Sequence, residues 1–226
     1  MEFGGFQKLT VLDYPEHVAC ILFTKGCNLR CPFCHNSFLV NMENIENYTE
    51  QDILSFLEKR SGVMDGVSIT GGEPLMHKGL EDFLVKVKAL GYDVKIDTNG
   101  SYPEMLKALV NKGLVNYVAM DIKNTKEKYD LTSGVSAQME KIEQSIDFLL
   151  GAGVDYEFRT TVTAELHTVE DIEQIAKRIC GAKRYFIQNI VDSGHILGGK
   201  LTPVSKENLE KMAQMAQKWV KTAKTR

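Results

Sequence analysis

Between residues 18 and 190, six short apolar, β-branched runs alternate with stretches of helical periodicity. The runs are "VACILFT" (18–24), "GVSIT" (66–70), "YDVKIDT" (92–98), "YVAMDI" (117–122), "YEFRTTV" (156–162) and "RYFIQNI" (184–190). Several are continuously apolar rather than alternating, the pattern of strands covered on both faces. Among the intervening stretches, Leu80, Phe83, Leu84, Val87 and Leu90 fall on one helical stripe. In 205–220, Leu209, Met212, Met215 (or Ala216) and Trp219 do the same. Thr49 with Asp52, Ser101 with Glu104 and Thr168 with Asp171 have the spacing of capping boxes that open helices.

The order is a strand–helix unit repeated six times behind a short N-terminal piece, 2–17. Right-handed crossovers between such units give a parallel sheet with helices outside. A complete eight-unit barrel usually takes ~250 residues. Six units therefore predict an α/β fold, an open partial (βα)6 barrel, with a flat doubly wound sheet as the structural alternative. One domain, 1–226, is the expectation, with 41–48 and 193–200 as surface loops.

Composition leaves this picture intact. At 43% hydrophobic and 25% charged the chain is ordinary globular material. A formal net charge of −3 gives no broad electrostatic reason to expect a nucleic-acid partner. There is no apolar run of roughly 18 residues and no basic-then-apolar leader, so a cytoplasmic protein without a membrane partner is expected. The five cysteines are odd in number and clustered, which suits reduced thiols serving as metal ligands better than a secreted disulfide framework.

The polar features fall at or after the C-terminal ends of the predicted strands, where barrels and open sheets carry their sites. "KGCNLRCPFCHN" (25–36) follows the first strand, "TGGEP" (70–74) the second and "DTNG" (97–100) the third. "MDIK" (120–123) ends the fourth, Arg159 and Thr161 lie in the fifth, and Gln188 lies late in the sixth. Convergence of this kind points to an enzyme. Cys27, Cys31 and Cys34 are one ligand short of the usual four; in a [4Fe–4S] cluster three thiolates would leave one iron with an open position. A zinc site completed by His35 and plain structural thiols are the alternatives. Cys20 and Cys180 read as buried structural thiols.

Cys27, Cys31 and Cys34, spaced C-x-x-x-C-x-x-C with Phe33 before the last, resemble the signature of the radical S-adenosylmethionine superfamily. "GGEP" is similar to its second hallmark. The succession of "CxxxCxxCHN", "GGEP", "DTNG" and "D-x-K" resembles the activating enzymes of glycyl radical enzymes. The N-terminal "GGFQKLTVLDYP" and "YVAMDIK" are most similar to the branch that activates anaerobic ribonucleoside-triphosphate reductase, and the pyruvate formate-lyase activators come next.

This resemblance implies a [4Fe–4S] cluster on Cys27, Cys31 and Cys34 whose open iron chelates S-adenosylmethionine. It implies reductive cleavage of that cofactor and formation of a glycyl radical on a partner enzyme, with a flavodoxin or ferredoxin as electron donor. It implies that Gly71, Gly72 and Glu73 meet the methionine end, and that Asp97, Thr98 and Asp121 can hold a monovalent cation beside it. Lys123 is expected at the carboxylate or ribose, Phe33, His35 and Asn36 at the adenine, and Arg159, Thr161 and Gln188 in the same cavity. Small-molecule radical enzymes such as the carboxy-deazaguanine synthases share this core and form the rival class.

Overall fold

The computed structural model describes residues 1–41, 45–191 and 196–226. Both predicted loops, 41–48 and 193–200, fall partly outside the described residues, as does His195. In chain order the elements are β1 (Glu2–Thr10), β2 (Ala19–Thr24), α1 (Ser37–Asn41), β3 (Tyr48–Thr49), α2 (Glu50–Arg60), β4 (Gly66–Gly71), α3 (Leu80–Ala89), β5 (Asp93–Thr98), α4 (Pro103–Asn111) and β6 (Tyr117–Asp121). There follow α5 (Tyr129–Ser133), α6 (Met139–Gly151), β7 (Asp155–Val162), α7 (Val169–Arg178), β8 (Tyr185–Asn189), α8 (Lys206–Ala216) and β9 (Ala223–Thr225). All six predicted strands are present, each to within a residue or so of its expected ends. The chain groups into two compact units: Met1–Asn28, Phe38–Thr98 and Glu104–Val118 form the first; Leu29–Ser37, Asn99–Pro103 and Ala119–Arg226 form the second.

In the first unit β2, β4 and β5 run parallel, with Ala19 opposite Gly66, Thr24 opposite Gly71, and Ile69 opposite Ile96. Leu22, Val67, Ile69, Val94 and Ile96 are completely buried, as strands covered on both faces require. Four residues of the stripe read from the sequence, Leu80, Phe83, Leu84 and Val87, form the buried face of α3, whereas Leu90 falls past its last turn as the C-cap and is half-buried. Thr49 opens α2 with a complete capping box. Two strands depart from the expected parallel pattern. The N-terminal piece forms β1, antiparallel to both β2 and β3. Its burial follows no period of two, and its register with β2 shifts twice, so no alternating signal marks it. Ser101 is not the cap of α4: the helix begins at Pro103, whose fixed φ suits the first helical position.

In the second unit β7 pairs in parallel with β8, placing Thr161 opposite Gln188, and β8 with β9. Ile122, just past β6, donates its N–H to the Arg159 carbonyl of β7 at 2.8 Å. Thr168 and Asp171 complete the capping box that opens α7. Helix α8 stops at Ala216, which with Met212 forms its buried face, and Trp219 lies beyond it. Among the described residues no helix is long and apolar enough to cross a membrane.

Candidate functional site

None of the five cysteines, all among the described residues, is joined in a disulfide. Cys20 is buried as expected, whereas Cys180 is exposed, because it sits past the end of α7 rather than on its packed face. Among the described residues no three His, Cys, Asp or Glu side chains converge as a single metal ion would require. A cubane takes one thiolate on each of three irons and needs no such convergence.

In the first unit, the chain after β4 is docked onto the start of the cysteine loop. Gly72 donates to the Thr24 carbonyl and Glu73 to the Gly26 carbonyl, each at 3.0 Å, and Gly26 donates to Leu39 at 2.9 Å. A Cβ on Gly72 would stand 1.6 Å from the Gly26 oxygen. At Gly71, where φ is +108°, a Cβ would stand 2.5 Å from the Thr24 nitrogen. The glycine pair is thus required by backbone packing against backbone, a cause that the expected ligand approach does not include. Glu73 is completely buried; its Oε1 accepts from the Leu75 N–H at 3.0 Å and from the Thr98 hydroxyl at 2.8 Å. One carboxylate therefore ties the turn after β4 to the end of β5.

Asp97, also at the end of β5, accepts from the Lys95 ammonium at 2.5 Å. Lys95 is 1% exposed and also donates to Asp13 at 2.9 Å and Ser68 at 3.3 Å. A buried ammonium must be paired and hydrogen-bonded, and this one is. Neither Lys95 nor Asp13 was expected at the site. The signal available was a lysine between Val94 and Ile96 in the buried middle of a strand, two residues before Asp97 of "DTNG".

In the second unit Cys31 is buried and Cys34 half-buried, and the Cys34 N–H donates to the Cys31 carbonyl at 3.0 Å. Burial pushes both thiols up, opposed in each case by the Lys123 ammonium. The charge of bound iron overrides such a shift, since coordination deprotonates a thiol outright. Asp121 accepts from Arg159 Nε at 2.8 Å and from Lys123 Nζ at 3.1 Å. Burial alone would raise its carboxyl, yet the two cations outweigh it and bring it down to about 2. Burial alone would likewise lower Lys123, but Asp121 and the Cys31 sulfur more than reverse this.

The Lys123 ammonium lies 5.9 Å from the centroid of Phe33, whose ring is 3% exposed. Thr161 and Gln188 are register partners, both half-buried. His35 is exposed and Asn36 half-buried. The second unit thus brings together Cys31, Cys34, Phe33, Asp121, Lys123 and Arg159. A cavity of about 230 Å³ in this unit, lined by Ile122, Tyr129, Ile142, Ile146 and Arg178 among others, contains none of the expected site residues.

The Radical SAM superfamily model matches residues 21–179. The chain belongs to the radical SAM superfamily. That membership implies S-adenosylmethionine and a [4Fe–4S] cluster, and makes the protein a radical SAM enzyme. A Methanocaldococcus jannaschii protein, whose assignment as a glycyl-radical enzyme activating enzyme is itself provisional, is 32% identical over 96% of this chain and 92% of its own. A GTP 3′,8-cyclase of Helicobacter pylori is 32% identical over 72% of this chain but only 51% of its own length. A radical SAM methyltransferase structure from Sphaerobacter thermophilus superposes with a TM-score of 0.72 at 13% identity, over 94% of this chain and 67% of that one. The expected fold class, parallel strands with helices of the radical SAM type, is the one these likenesses share.

The radical SAM cofactors can be set against the residues present. Three unbridged thiols with an ammonium facing two of them are a donor set suited to a cluster. A monovalent cation fits less well. Asp97 is already met by Lys95, Asp121 by Lys123 and Arg159, and the Thr98 hydroxyl by Glu73. An added ion gains most from carboxylates that are not already neutralised, and these are.

Proposed function

We propose that this protein is a glycyl radical enzyme activase, with Cys27, Cys31 and Cys34 as the ligands of three cluster irons. The observation that carries this reading is the match to the M. jannaschii relative, which spans 92% of that protein's length. By contrast the cyclase has roughly as much sequence again outside the shared region. When bound, the cluster supplies the electron that cleaves S-adenosylmethionine, so that a hydrogen atom can be taken from a glycine Cα of the partner.

The chain's own residues bind and orient. Lys123 offers an ammonium to the cofactor's carboxylate or ribose, and Phe33, His35 and Asn36 offer flat and polar surfaces to its adenine. Gly71, Gly72 and Glu73 meet its methionine end beside Asp97 and Thr98, and Arg159, Thr161 and Gln188 line the remainder. No general acid or base is required; the work is positioning and exclusion of water and oxygen. The motif resemblance favours anaerobic ribonucleoside-triphosphate reductase as partner over pyruvate formate-lyase. A cytoplasmic setting with a flavodoxin or ferredoxin as electron donor follows from the same reading.

The test is isotopic. A partner enzyme carrying α-deuterated glycine, incubated anaerobically with the reduced protein and S-adenosylmethionine, is expected to yield deuterated 5′-deoxyadenosine. Product free of deuterium with every glycyl radical enzyme tried would contradict the reading and favour a small-molecule substrate.

A further inference from the structure

We propose that His167 is a positioning residue that fixes Lys123 and Phe33 for the cofactor, an inference that rests on the contacts assigned to those two residues above. His167 lies past the end of β7 and is 4% exposed. Its Nδ1 faces the Thr163 N–H at 3.2 Å. A backbone N–H can only donate, so Nδ1 must carry the lone pair, and the ring hydrogen of the neutral imidazole sits on Nε2. That atom lies 2.8 Å from the Lys123 carbonyl oxygen, to which it therefore donates. Burial, which lowers the affinity of His167 for a second proton, keeps the ring in this neutral form.

Lys123 is held on its other side as well. Its N–H donates to the hydroxyl of buried Tyr129 at 3.3 Å. With donor and acceptor of residue 123 both engaged, its side chain leaves the backbone in one direction, toward Asp121 and over Phe33. The imidazole also sets its edge against the Phe33 ring, with centroids 6.1 Å apart and planes at 60°. A single ring thus fixes the backbone of the cation and the plane of the aromatic surface. Phenylalanine could supply the edge contact without either hydrogen bond; glutamine could supply both bonds without the ring.

Three measurements test this. In the iron-free chain, nitrogen-15 histidine spectra are expected to show His167 as the neutral Nε2–H tautomer; the Nδ1–H tautomer would overturn the proposal. In the cluster-loaded chain, S-adenosylmethionine affinity is read from the change it causes in the paramagnetic resonance of the reduced cluster. His167→Phe is expected to keep its iron and weaken binding about tenfold, the scale of losing an outer-shell partner. His167→Gln should recover most of that loss. Parental affinity in His167→Phe would overturn the proposal, as would a loss in both variants that simply follows loss of iron. A parent chain that loads iron yet binds no S-adenosylmethionine would overturn the cofactor reading itself, and this inference with it.

Discussion

Asp121 shows how much of the site is set by single charges. Its folded carboxyl lies at about 2, below the ordinary 3.8, because Arg159 and Lys123 outweigh its burial. A carboxyl lowered on folding adds stability above its unfolded value and loses it as pH falls toward the folded one. The contribution is therefore complete at neutral pH and disappears between about pH 4 and pH 2. Asp121→Asn should be less stable than the parent at pH 6, and the gap in urea midpoint should narrow steadily below about pH 4 and close only below about pH 2. A gap that stays constant would mean that the carboxylate charge is not what matters.

Gly72→Ala puts a methyl group into the Gly26 carbonyl, backbone against backbone, with no flexible side chain to yield. The expected result is a displaced cysteine loop, seen as reduced iron content after reconstitution, at a stability cost of about 1–3 kcal/mol. Cys31→Ala should lose both iron and 5′-deoxyadenosine production.

At this scale the sequence was legible where chemistry leaves a spacing. The three cysteines, "GGEP" and "D-x-K" could be found without coordinates. Lys95 showed only as a lysine two residues before Asp97, and Asp13 and His167 could not be assigned roles, because their partners are distant in sequence: Asp13 and Lys95 are 82 residues apart, His167 and Lys123 44.

Helix α7 illustrates the scale of elements. Thr168 accepts from the Asp171 N–H and Asp171 accepts from the Thr168 N–H, satisfying two donors that the helix start would otherwise leave unpaired. Thr168→Ala should cost about 1 kcal/mol. In a chain of this length that lowers the thermal midpoint by about 2–4 °C, with cofactor affinity unchanged. The box was readable because its residues are local. So were the core strands, whose double-sided burial leaves continuous apolar runs, and the face of α3. The elements that were missed have other causes. β3 and β9 have two and three residues, too few to show a period, and β1 gains its partners through a shifted antiparallel register. Pro103 moved the start of α4 away from the box that Ser101 suggested, since local propensity at the first helical position favoured the proline.

For the whole molecule, the repeating strand–helix order was enough to reach the fold class, and the motifs were enough to reach the superfamily. The choice of partner was not, because recognition of a folded enzyme depends on surface shape that no short motif encodes. What sets the proposed activase apart from other radical SAM enzymes is the storage of a radical on a glycine of another protein. Its most direct test is electron paramagnetic resonance under strict anaerobiosis. Reconstituted, reduced protein and S-adenosylmethionine would be mixed separately with an anaerobic ribonucleotide reductase and with a pyruvate formate-lyase. A glycyl doublet is expected in the reductase mixture. A doublet in neither, with 5′-deoxyadenosine still formed, would contradict the proposal.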